Sequence, residues 1–115
     1  MLSHLNRFHG HGSLRYLYQH GTKTRSRDLG LYYIENKNRT HSRFAIVVTK
    51  KVHKSAVKRN RIRRRIYEIV RLELDNIKNP YDFIITVFTP DLLEIEHEQL
   101  KKQITELLAK EKLIS

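Results

Sequence analysis

Residues 50–65 read Lys-Lys-Val-His-Lys-Ser-Ala-Val-Lys-Arg-Asn-Arg-Ile-Arg-Arg-Arg, and nine of the sixteen are Lys or Arg. Guanidinium groups carry forked N–H donors that match phosphate oxygens two at a time, and ammonium groups add point charge. On one helix, neighbouring like charges repel by roughly 0.2–0.5 kcal/mol per pair, so such a segment is better tolerated with phosphates against it. The chemistry on offer is phosphate binding. The groups that would cleave a phosphodiester are not gathered with it. Metal-assisted hydrolysis needs several carboxylates around Mg²⁺, yet residues 1–70 hold only Asp28, Glu35 and Glu68, far apart and without a paired spacing. Asp91, Glu94, Glu96 and Glu98 read as helix-start charges and a solvated face. No catalytic residue is assigned to the chain. His4, His9, His11 and His20 have neither Cys nor close carboxylates beside them, so they read as surface or partner-facing groups and no metal ligand is assigned.

The charge of the whole chain points the same way. Its 115 residues carry 23 Lys+Arg against 12 Asp+Glu, a formal charge of +11 and a pI of about 10.1. Residues 1–70 hold 17 bases and three acids, a net of +14, while residues 71–115 hold six bases and nine acids, a net of −3. Six of the seven His also lie within the first 53 positions. A surface meant only for solubility mixes the signs; this one concentrates a single sign, as a polyanion-binding face requires. The absence of Cys removes disulfide scaffolds, thiolate zinc sites and cysteine nucleophiles. No apolar run approaches the ~20 residues of a membrane span, and Met1-Leu2-Ser3-His4 does not start a signal-like segment. The expectation is an intracellular, cytoplasmic protein with no membrane partner and no small-molecule substrate. The length fits one domain over residues 1–115, since the change of charge near residue 70 falls inside a helical pattern without a linker.

These residues need elements to hold them. Ser13 is a candidate N-cap for a short helix with Leu14, Leu17 and Tyr18 on one face, closed by Gly21 at C′. Residues 29–36 read as a strand and 36–39 as a polar turn. The run 43–49 is apolar on both faces, which predicts a strand covered on both sides. From Ser55 to about Asn76 the period becomes helical, with Ile62, Ile66, Ile69 and Glu73 on one side and Asn60, Arg64, Tyr67 and Arg71 on the other. Asn79-Pro80 breaks that helix. Tyr81–Thr89 is a second apolar strand, and residues 96–112 an amphipathic helix with Leu100, Ile104, Leu107 and Leu108 inward. The fold class is α+β, helices on a sheet of about four strands. Alternation sends Tyr32 and Tyr33 to opposite faces, so only one shares a surface with Tyr18.

Lys50-Lys51 after a buried strand, followed by Ala56-Val57-Lys58-Arg59-Asn60-Arg61-Ile62-Arg63-Arg64, resembles the Arg-Asn-Arg signature of the bacterial ribonuclease P protein subunit. Asn6-Arg7-Phe8, the helix ending at His20-Gly21, the Leu31-Tyr32 strand, the Tyr81–Phe88 strand and the final helix follow the family's order, so the likeness spans nearly the whole chain. It implies a single-domain αβ sandwich like the second domain of ribosomal protein S5, with a mixed sheet, three helices and a left-handed βαβ crossover. It also implies an RNA catalyst that uses Mg²⁺ to cut precursor tRNA, assisted by a protein that binds the 5′ leader and stabilises the active RNA. Carried over by position, Lys50, Lys51, Lys58, Arg59, Asn60, Arg61, Arg63 and Arg64 match the surface for the catalytic RNA. Leu14, Tyr18 and Tyr32 match the leader-binding cleft. The chain departs from the pattern at Leu14, where the family often has an aromatic, and at His53-Lys54-Ser55, which runs one residue longer where Gly is common. The basic helix taken alone also permits a ribosomal or general architectural nucleic-acid-binding protein. A basic zipper is disfavoured, since no leucine heptad follows.

Overall fold

The apolar and polar periods of the sequence resolve into seven regular elements: α1 (His11–His20), β1 (Thr22–Arg25), β2 (Leu29–Glu35), β3 (Arg43–Val47), α2 (Ala56–Glu73), β4 (Tyr81–Val87) and α3 (His97–Lys110). The coordinates, a computed structural model, describe residues 11–37, 40–77 and 79–114. Asn6-Arg7-Phe8, His4, His9, the side chains of His11 and Ser13, and Asn38-Arg39 lie outside the described residues. The sheet order is β1-β2-β4-β3, with β1–β2 and β2–β4 antiparallel and β3–β4 parallel. The α+β class and the mixed four-stranded sheet follow the sequence reading. Parallel neighbours need a crossover connection, and α2 supplies it.

The most apolar run takes the position that buries most. Asp82, Phe83, Ile84, Ile85 and Val87 of β4 are all buried, because that strand has a neighbour on each side and cover on both faces. One face carries the main core, where Leu29, Leu31, Phe44, Ile46, Phe83, Ile85 and Val87 meet Ile62, Ile66 and Ile69 of α2 and Leu100, Ile104 and Leu108 of α3. Alternation turns Ile84 to the opposite face, where Leu17 of α1 is also buried, and α1 lies against β2 and β4. That second face is covered only in part.

Several expectations change. β3 is an edge strand, so only Phe44 and Ile46 are buried while Arg43, Ala45 and Val47 stay half-exposed, in place of cover on both sides. β1 reads Thr-Lys-Thr-Arg and was hidden from hydrophobic periodicity by having no apolar residue. Helix α1 starts at His11, which places Ser13 inside the helix and not at its cap; no Pro stands there to stop it. Gly21 does close α1, its N–H donating to the Leu17 carbonyl at 2.8 Å. Its reason is space, not a left-handed backbone: a Cβ would sit 2.7 Å from the Leu17 carbonyl oxygen and 2.9 Å from that of Tyr33. In α2, Val70 joins the predicted buried isoleucines, and Tyr67 leaves the polar side to pack 5.6 Å from Phe44, ring centroid to centroid. The helix ends before Asn79-Pro80, through a 3-10 turn at Leu74–Asn76.

Candidate nucleic-acid interface

The basic run is held by the way α2 begins. Ser55 caps the helix, its Oγ accepting from Lys58 N at 3.3 Å, while His53 Nδ1 accepts from Ser55 N at 3.0 Å. No acidic residue stands in the first turn, where the helix dipole is positive. Cations there are disfavoured by the helix itself, which leaves an anion as the natural complement. Just upstream, a turn closed by Val52 N donating to Thr49 O at 3.0 Å places Lys50 and Lys51 at its tip, both exposed.

The arginines divide by what they touch. Arg59 spends Nη1 on the carbonyls of His53 and Lys54, at 2.9 Å each, and so ties the loop before α2 to its first turn. Arg63 donates to Val48 O at 3.1 Å and to Asn60 Oδ1, which anchors the helix to the end of β3. Arg65 donates to Leu92 O at 2.6 Å and to Ile95 O, which anchors it to the segment after β4. Arg61 and Arg64 are exposed and have no hydrogen-bond or ion-pair partner among the described residues. With the exposed Lys58 and Asn60 they make the outer ridge of α2. The predicted set therefore holds two kinds of residue, since Arg59 and Arg63 are half-buried and already engaged. Their destinations depend on where the neighbouring strands end, which helix spacing does not report.

The partly covered sheet face forms the second part. Tyr18 meets Tyr32 edge-on with centroids 4.7 Å apart, and Leu14 lies half-buried on the same helix. The three predicted cleft residues are thus on one side of the sheet. Tyr33 leaves on the other, its hydroxyl donating to Glu111 Oε1 at 2.7 Å. Burial, then the Glu111 hydrogen bond and charge, push the Tyr33 hydroxyl up to about 12. The register sets Lys23 opposite Tyr32, with Nζ 5.9 Å from the ring centroid, and Arg25 opposite Gly30. Both cations sit on β1, a strand that leaves no hydrophobic period in the sequence. At the far end of this face, Asp82 is buried against Arg43 and Asn36.

The three acids of the basic half stay apart. Asp28 accepts from Gln103 Nε2 at 2.9 Å, Glu68 pairs with Arg71 at 2.9 Å, and Glu35 is exposed at the end of β2. Among the described residues no three of His, Asp and Glu come together in a way that would hold a metal ion, and no helix is long and apolar enough to cross a membrane.

A basic helix anchored to a mixed sheet, with aromatic residues on the sheet's partly covered face, is the arrangement of a small α+β nucleic-acid-binding protein. The sequence profile of the family described as Ribonuclease P matches residues 2–112. The chain belongs to the ribonuclease P protein family, the RNA-binding subunits of the endoribonuclease that matures tRNA 5′ ends, in which catalysis lies with RNA. The Ribonuclease P protein component of Pseudanabaena sp. (strain PCC 6903) is 32% identical over 114 residues, covering 99% of this chain and 97% of that protein. That of Alkaliphilus metalliredigens (strain QYMF) is 32% identical over 110 residues, covering 96% of each. Among solved structures, the Staphylococcus aureus RNase P protein superposes with a TM-score of 0.85 at 25% identity, over 96% of this chain and 98% of that one.

Proposed function

We propose that the chain acts as one RNA-binding domain with two working surfaces. The ridge of α2, with Lys50, Lys51, Lys58, Asn60, Arg61 and Arg64, binds the catalytic RNA; Arg59 and Arg63 hold the loop and the helix so that the ridge keeps its shape. Leu14, Tyr18 and Tyr32 line the groove for the single-stranded 5′ leader of precursor tRNA. Tyr18 and Tyr32 offer rings on which unpaired bases stack, at ~1–3 kcal/mol per base. One continuous core joining β2, β3 and β4 to α2 and α3 supports the single-domain reading.

The mechanism is electrostatic. Cations between two RNA strands lower their mutual repulsion, so less Mg²⁺ is needed to fold the catalytic RNA and to hold the substrate. Mg²⁺ is assigned to the RNA active site, where it would activate water and stabilise the leaving oxygen; no side chain of this protein is assigned to it. The working location is the cytoplasm, where precursor tRNA is made in bacteria.

The observation that carries this reading is the unpartnered pair Arg61 and Arg64 on a helix whose other arginines are all engaged. Reconstitution with the catalytic RNA at low Mg²⁺ tests it. Precursor-tRNA cleavage should rise steeply when the protein is added, and an unchanged rate defeats the reading.

A further inference from the structure

Beside Tyr32 the groove repeats itself. Gly30 shares the groove face with Tyr32, two positions along β2, and the vacant side-chain position is filled from β4. There the Phe88 N–H donates to Asp28 O at 3.0 Å, extending the strand pairing one step past β4, and alternation turns the ring to the groove. A Cβ on Gly30 would lie 2.7 Å from Phe88 Cζ, so the ring tip rests on the glycine. Arg25, paired with Gly30 in the register, sets its guanidinium carbon 4.5 Å from the Phe88 centroid. Phe88 nevertheless stays 43% exposed, far from the usual burial of a phenylalanine. Tyr32 with Lys23 and Phe88 with Arg25 are two copies of one unit: a ring on the groove face with a β1 cation over it.

We propose that Phe88 and Arg25 form a second base platform, so that the groove takes two successive unpaired nucleotides of the leader; this rests on the leader reading above. The spacing argues for an extended single strand. Tyr32 and Gly30, two apart on β2, are ~6.6–6.8 Å apart, and the Phe88 ring reaches Gly30 only with its tip. The two rings are therefore set wider than the ~3.4 Å per-strand step of stacked DNA. Bases held at that interval cannot stack on each other, and each needs its own ring. The cation over each ring then offers its charge to the phosphates of the extended strand.

The test uses holoenzyme reconstituted with the catalytic RNA and precursor tRNAs carrying one abasic leader nucleotide at a time. Two adjacent leader positions should each cost at least about fivefold in affinity, the low end of a base stack on an aromatic ring. Phe88→Leu should erase the penalty at one position and Tyr32→Leu at its neighbour, while affinity for mature tRNA is kept. Because Phe88→Leu also empties the space over Gly30, Arg25→Gln serves as the second variant, with a several-fold loss confined to leader-bearing substrate. If Tyr32→Leu erases one penalty while Phe88→Leu leaves both and Arg25→Gln is silent, the second platform is wrong and the leader groove stands. If no abasic position and neither ring variant changes affinity, the groove reading itself falls, and this proposal with it.

Discussion

Arg43 and Asp82 are direct partners in the parallel register of β3 and β4, and they close a two-pronged ion pair, Nε to Oδ1 at 3.0 Å and Nη2 to Oδ2 at 2.7 Å. The side chains are only 15% and 8% exposed, and Asn36 Nδ2 adds a donor to Asp82 Oδ2 at 2.9 Å. A pair this deep does little for stability against an apolar isostere, but losing one member strands the other. Asp82→Ala should cost about 3–5 kcal/mol, read as a lower urea midpoint. Replacing both with Met and Leu should recover most of the loss; equal destabilisation by the single and double changes would refute the pairing argument.

The division among the arginines predicts two phenotypes from one helix. Arg61→Ala and Arg64→Ala should weaken binding to the catalytic RNA and reduce the slope of log K against log salt by about 0.7–0.9 each, with folding stability kept within about 0.5 kcal/mol. Arg63→Ala should instead lower the melting temperature, since it frees the Val48 carbonyl and Asn60. Lys110→Ala, on the exposed side of α3, should leave both properties alone. Salt titrations of filter-bound RNA beside thermal melts separate these outcomes.

Tyr33 couples the end of α3 to the sheet, and high pH undoes the coupling. The unfolded hydroxyl ionises near 10.0 and the folded one at about 12, so the folded state keeps its proton longer. The associated stability is full below pH 10 and is lost as pH rises from there through about 12. Tyr33→Phe abolishes this alkaline loss, and near neutral pH costs about 0.5–1.5 kcal/mol for the Glu111 hydrogen bond. Urea unfolding at a series of pH values from neutral to alkaline reads both effects; parallel alkaline slopes in the two proteins would contradict the assignment.

Gly21 sits where backbone meets backbone. Adding one methyl places a carbon 2.7 Å from the Leu17 carbonyl oxygen and 2.9 Å from that of Tyr33, and neither can swing away as a side-chain tip would. Gly21→Ala should cost about 1–3 kcal/mol, or on the order of 5–15 °C in melting temperature for a domain this small. An unchanged melting temperature would show that α1 can shift on the sheet.

What the sequence made legible was whatever has a period or a signature. The helical spacing of Ile62, Ile66 and Ile69 and the unbroken run Phe83-Ile84-Ile85 placed the core, and the Arg-Asn-Arg segment placed the charged ridge. What stayed hidden depends on neighbours far along the chain. Thr22–Arg25 forms a strand because the edge of β2 is free to pair, not because its residues are apolar. Arg59, Arg63 and Arg64 look alike in sequence, yet carbonyls at the loop and at the end of β3 claim the first two. Phe88 looks like a core residue until the missing side chain at Gly30, 58 positions earlier, gives its ring a seat on the groove.

Of three consecutive arginines, Arg63 is tied to the strand leaving on one side of the crossover, Arg65 to the segment leaving on the other, and Arg64 alone is free to reach outward. The outer two fix α2 in rotation and in slide against β3 and β4. Any strand gripped by the ridge is therefore held at a constant offset from any strand lying in the sheet groove. If the two surfaces bind RNA as proposed, the protein acts as a gauge, because the offset between ridge and sheet face then sets how far apart the two RNA segments run.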